Sequence, residues 1–169
     1  MGLQNRHTRR PVRAAIRAAL VIAGALAAAP LPVQAQEPTP AATLVIQVHA
    51  VSPAGGTLRL GLYDEARYPD DRSTPVASAD VTAEMGLTTV TLTNVPPGTY
   101  AIETFQDINN NNKMDTSWLG LPQEPFGFSR DARPHLSKPD FAKVKFTVEP
   151  GMNVQSLHLQ NSVSLIASK

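Results

Sequence analysis

Oxygen-bearing side chains gather in one stretch of this chain, from Asp107 to Glu124. In Asp107-Ile108-Asn109-Asn110-Asn111-Asn112-Lys113-Met114-Asp115, carboxylate or amide oxygens fall at Asp107, Asn109, Asn111 and Asp115, and Lys113 offers its backbone carbonyl between them. Hard cations take oxygen ligands, and this alternate spacing is that of a calcium-binding loop. Asn112 stands where such loops normally place glycine, and asparagine is among the few residues that tolerate a left-handed backbone. Trp118 stands where an EF-hand has its bidentate glutamate, and no helical periodicity flanks the stretch, so an EF-hand is excluded. The closing carboxylate must then come from elsewhere, and Glu124, between Pro122 and Pro125, is the nearest. The expected metal set is therefore Asp107, Asn109, Asn111, Lys113, Asp115 and Glu124, with Ca2+ as the ion. With so few charged ligands, an affinity of ~10⁻⁴ to 10⁻³ M is expected. The same residue types also make side-chain-to-backbone turns in a solvated loop, and the sequence leaves both readings open.

Other groups carry side chains capable of chemistry. Trp118, Phe126 and Phe128 offer either an aromatic platform for a sugar or peptide or, as a long loop requires, a satellite core; packing is the expected role. Gly127-Phe128-Ser129-Arg130-Asp131 begins like a serine nucleophile elbow, but Asp131 replaces the second glycine and no strand-to-helix turn is evident. His49 and His158 fall on outward strand faces and His135 in the loop, with no metal-ligand spacing among them. Asp115 and Glu124 would suit a glycosidase only at a separation that sequence cannot give. No nucleophile, base and orienting group appear together, so a hydrolase is the lesser expectation.

The scaffold begins with an export signal. Arg6, Arg9, Arg10, Arg13 and Arg17 precede an apolar, acid-free run from Ala18 to Ala29, then Pro30 and Val33-Gln34-Ala35. This is the layout of a signal peptide, 1–35, cleaved after Ala35, because 12 apolar residues fall short of the ~20 that span a bilayer. Thr8-Arg9-Arg10 also resembles a twin-arginine signal, although Arg13 stands where that signal usually has an apolar residue. Five of the 15 basic residues leave with this leader while all 14 acidic residues stay, so the mature chain carries a net charge of −4. A mildly acidic domain has no electrostatic claim on nucleic acid or anionic lipid, and no membrane span remains. The absence of cysteine excludes disulfides, thiolate metal sites and a cysteine nucleophile. The expected location is the periplasm or the exterior.

Residues 36–42, rich in proline, threonine and alanine, read as a flexible lead into one domain, 43–169. From there the apolar period is two. Leu44, Ile46 and Val48 share one face of a strand; Leu58, Leu60 and Leu62 share one face of the next, and the short Ser52–Gly56 turn predicts a hairpin between them. Strands are expected at 76–82 and 88–93, with Val90 and Leu92 inward, and again from Gly98, where Tyr100 should pack its ring and bond its hydroxyl to nearby backbone. Residues 141–148 alternate as a strand and 152–160 complete the set, with 162–169 either one more edge or frayed. About seven short strands with regular turns predict an all-β, two-sheet antiparallel sandwich of the immunoglobulin-like or transthyretin-like kind. Its outsized connection, Ile108 to Asp140, carries proline and aromatic anchors, as an ordered functional loop does.

Three groups of residues together carry a resemblance. Gly98-Thr99-Tyr100-Ala101-Ile102, then Asp107, Asn109, Asn111, Lys113 and Asp115, then Gly120, Pro122, Glu124, Gly127, Phe128 and Ser129 resemble the motif string of the bacterial DUF2141 family, over nearly the whole mature chain. Asn112 and Arg130 depart from that family's usual glycine and asparagine. The resemblance implies an exported β-sandwich with no assigned activity. The turn before Tyr100 is also similar to turns of transthyretin-like and carboxypeptidase-regulatory-like domains. The expected function is a non-catalytic exported module, calcium-stabilised at the 107–124 loop, that binds a protein or glycan of the cell envelope; the alternative is a hydrolase acting on envelope polymers.

Overall fold

A two-residue apolar period forces pleated strands with one buried face, and the chain forms them where that period is cleanest. The computed structural model describes residues 40–135 and 137–162, all of them within the unit Glu37–Lys169. The expected leader at 1–35, most of the expected lead at 36–42 and the tail after Ser162 lie outside the described residues. In β1 (Ala42–Val51), Leu44, Ile46 and Val48 are fully buried while Thr43, Gln47 and His49 keep partial exposure. In β2 (Thr57–Tyr63), Leu58, Leu60 and Leu62 are buried. β3 (Ala77–Thr82), β4 (Gly86–Val95) and β5 (Gly98–Asp107) follow, then β6 (Phe126–Phe128), a one-turn helix α1 (Phe141–Val144), β7 (Phe146–Val148) and β8 (Gly151–His158).

These strands form two sheets, ordered β4-β1-β8 and β3-β2-β5-β6, with β7 also paired to β5. The all-β sandwich is therefore as the alternation implies, but two pairings differ from expectation. β1 and β2 make no hairpin: β1 pairs with β4 and β8, and β2 with β3 and β5. Their apolar faces are both buried because they oppose each other across the sandwich, which places the two strands in different sheets. β8 runs parallel to β1, so the set is not wholly antiparallel. The crossover at Ser52–Gly55 is pinned by Gln106, whose Oε1 accepts from Ser52 N at 2.8 Å and whose Nε2 donates to the carbonyls of Ser52 and Gly55 at 3.0 and 2.7 Å. Gly56, at φ 90°, passes so close to the carbonyl of Asp107 that a Cβ would lie 2.2 Å from it.

The alternating stretch 141–148 is a strand only over its last three residues. The α1 turn brings Phe141 and Val144 to the same satellite core, with Tyr68, Phe126 and Phe128, which a strand would have split between opposite faces. Tyr100 behaves as expected: its ring is buried and its hydroxyl donates to the carbonyl of Pro96 at 2.9 Å. The main core lies between the sheets, where each fully buried leucine, isoleucine or valine contributes about 1.5–3 kcal/mol.

Candidate functional site

The loop after β5 is organised by carboxylates turned onto backbone N–H groups. Asp107, the last residue of β5, is fully buried and accepts from Asn111 N at 3.0 Å and Asn112 N at 2.8 Å. Asn109 Oδ1 accepts from Asn111 N at 3.1 Å, and Asn111 Oδ1 from Lys113 N at 3.0 Å, making two successive side-chain turns. Both amides then donate to Asp115: Asn109 Nδ2 at 2.7 Å and Asn111 Nδ2 at 3.0 and 3.1 Å. Asn110 and Asn112 take left-handed backbone, φ 56° and 67°, which suits asparagine. Glu124 is buried and clasps the two ends: Oε1 accepts from Ile108 N at 2.9 Å and Oε2 from Asp115 N at 3.1 Å. The six residues named from the sequence thus lie in one loop, with Lys113 taking part through its backbone. Among the described residues no group of three or more His, Cys, Asp or Glu side chains is placed to hold a metal ion.

A cation does stand beside the loop, and it belongs to the sheet. Arg59 of β2 donates through Nε to Asp107 Oδ2 at 2.7 Å, through Nη1 to Asp80 at 2.5 Å, and through Nη2 to Asn112 Oδ1. Burial by itself raises the Asp107 carboxyl, but Arg59 and the N–H groups of Asn112 and Asn111 outweigh it and hold the pKa below its ordinary value. Ion pairing with Asp107 and Asp80 likewise raises Arg59.

Beside this loop, the outward side chains of β2, β3 and β5 and residues of the long connection line a groove of about 910 Å³. Tyr63 lies over Gly61, where a Cβ would sit 2.6 Å from the ring; Phe105 and Glu103 project from β5, and Met114, Leu121 and Pro122 come from the connection. Lys138 ties the connection to the sheet, donating to Glu103 at 2.9 Å, to Asp71 at 2.5 Å and to the Tyr68 carbonyl at 2.6 Å. Burial raises the Glu103 carboxyl further than Lys138 lowers it, whereas the two carboxylates raise Lys138 despite its own burial. Of the three aromatics singled out in the sequence, Phe126 and Phe128 pack in the satellite core, but Trp118 does not: it is 92% exposed. It rides on a firm turn, with Gly120 N on Ser117 O and Ser117 N on Leu121 O, both at 2.8 Å.

The remaining groups are structural. Ser129 is buried, accepts from Ile102 N at 3.0 Å and donates to Val144 O at 2.6 Å, so it ties β5 to α1. His49 and His158 stack with ring centroids 4.9 Å apart, and Asp131 takes His158 N at 2.7 Å and faces its Nδ1 at 3.1 Å. Arg59, Tyr63, Glu103 and Phe105 escape a reading of the sequence because outward strand positions read as plain solvent face, and Lys138 because its partners Asp71 and Glu103 lie 67 and 35 positions away. The available signal was Phe105, an aromatic at an outward position between Glu103 and Asp107.

Residues 46–156 match the family model DUF2141, described as an uncharacterized protein conserved in bacteria. No curated protein and no solved structure matches.

Proposed function

The chain belongs to the DUF2141 family of uncharacterised conserved bacterial proteins, and we propose that it is an exported, non-catalytic module that binds a protein or glycan of the cell envelope through the groove beside its 107–124 loop. The groove carries this reading: concave, largely apolar, with a few convergent polar groups, it has the make-up of a binding site. The clasped loop keeps its wall in place. Export rests on the leader at 1–35, and among the described residues no helix is long and apolar enough to cross a membrane. A non-catalytic role is supported by the engagement of the serine and the carboxylates considered for chemistry. Ser129 is bonded on both sides, Asp115 and Glu124 are bonded to amide and backbone donors, and the groove's Glu103 and Asp80 are paired with Lys138 and Arg59.

The test is retention of the purified protein on isolated envelope fractions, compared with Phe105→Ala and Tyr63→Ala. Loss of retention in both variants is expected, and retention indifferent to both removes the groove from the function. Ester, peptide and glycoside substrates should show no turnover above background; turnover abolished by a carboxylate substitution in the groove or the loop would favour the hydrolase.

Calcium at the loop is the second reading, favoured by the two successive side-chain turns. Each amide oxygen of Asn109 and Asn111 accepts one N–H and keeps a second lone pair. Asp107, Asn109, Asn111, the Lys113 carbonyl and Asp115 would hold the ion beside Glu124, and Arg59 already offsets part of the loop's charge. Calorimetric titration should give a Kd of ~10⁻⁴ to 10⁻³ M, lost in both Asp107→Ala and Asp115→Ala. Equal traces from all three proteins leave the hydrogen-bonded turn alone.

A further inference from the structure

The groove's chemistry narrows the ligand further, on the premise that the groove is the binding site. Its floor is formed by the central strands β2 and β5, whose backbone is paired on both sides: β2 with β3 and β5, and β5 with β2, β6 and β7. An extended peptide laid there would find few backbone partners for its own N–H and C=O groups, which are costly to desolvate unpaired. Peptides that add to sheets do so at an open edge, and this groove runs over the face of β2 and β5, the edge strand β3 giving it only Ser78 and Asp80.

Charge narrows the choice again. Both cations in the groove are already committed, Arg59 to Asp107 and Asp80, and Lys138 to Asp71 and Glu103. The exposed charges at its border are carboxylates, with the Asp71 and Asp80 side chains 82% and 56% exposed. An anionic ligand is disfavoured here and would instead meet Arg130 and Lys145 in a separate hollow of about 520 Å³. Carboxylates facing solvent accept strong hydrogen bonds from hydroxyl groups. Aromatic side chains offer rigid apolar contact with a polar handle, and here Tyr63 lies within the groove while Trp118 stands out beside Gly120, Leu121 and Pro122, which line it.

We propose that the groove binds a neutral oligosaccharide, the C–H faces of its rings lying against Tyr63, Phe105 and Trp118 and its hydroxyls donating to Asp80 and Asp71. Trp118 is the single tryptophan of the chain and is nearly wholly exposed, so its fluorescence reports the event directly.

The experiment titrates the purified protein with neutral cello-, malto-, xylo- and chito-oligosaccharides up to about 10 mM, enough to fill even a site of Kd ~1 mM. A saturable shift of Trp118 emission to shorter wavelength is expected with at least one of them. By calorimetry, Trp118→Ala and Asp80→Asn should each weaken that saccharide about tenfold. Both residues are exposed, so the variants keep the fold, which circular dichroism checks. No emission shift with any saccharide overturns the assignment, as does binding unaffected by both substitutions. Retention on a peptide or anionic polymer that is lost in Phe105→Ala overturns the glycan while leaving the binding module intact. Envelope retention indifferent to the groove variants overturns the reading beneath it as well.

Discussion

At the scale of single residues, Asp107 is the hinge between sheet and loop. It sits on the outward side of β5, reaches Arg59 diagonally across the strand pair, and accepts two N–H groups of the loop. Its folded pKa lies below the ordinary 3.8, so the native state favours the ionised form. Stability from this group is therefore present above that ordinary value and is lost as pH falls through the lower folded value. Glu103 acts in the opposite sense: with its pKa raised above 4.5, it costs stability as pH rises from there through the folded value. Asp107→Asn is expected to lower the melting midpoint by about 5 °C near pH 7. The gap from wild type should narrow as pH falls below 3.8 and close only once pH has passed the lower folded value, where both proteins present a neutral group at this position. Thermal melts across that range check it, and a gap that widens towards acid would refute the assignment.

At the scale of the element, the long connection stays ordered because it spends its carboxylates on its own backbone. Glu124 closes the loop by holding Ile108 N and Asp115 N with separate oxygens. Removing it takes the partner from two part-buried donors, a loss of about 1–3 kcal/mol. The loss should be local. In Glu124→Ala, amide exchange is expected to accelerate at Ile108 and Asp115 while the β1 amides of Ile46 and Val48 keep their protection, as measured by exchange-resolved NMR. Equal acceleration throughout would make Glu124 part of the global fold rather than a clasp. The same logic explains α1: Ser129 holds Val144 from beneath, and the satellite core requires Phe141 and Val144 on one side.

At the scale of the whole molecule, stability and binding are assigned to different surfaces. Leu58 is fully buried between the sheets, and Leu58→Ala should cost about 2–5 kcal/mol, partly through the cavity it leaves. Trp118 is larger but touches little, so Trp118→Ala should change stability by no more than about 0.5 kcal/mol. Paired urea titrations measure both. A strongly destabilised Trp118→Ala would place that ring in the core after all.

Local patterns determined what the sequence could tell by itself. The period of two fixed which faces of β1, β2 and β4 are buried, proline and glycine marked most of the turns, and residue type marked the 107–124 loop, because each of these depends on neighbours a few positions away. Pairing was illegible for the same reason. Whether β1 lies beside β2 or across from it, and whether β8 runs parallel to β1, is decided by how two apolar faces are buried together, not by either strand. Arg59 and Asp107 stand 48 positions apart, and no spacing rule connects them. The groove, the committed cations within it and the exposure of Trp118 exist only once the long connection has folded back over the sheet and spent its other aromatics on a satellite core.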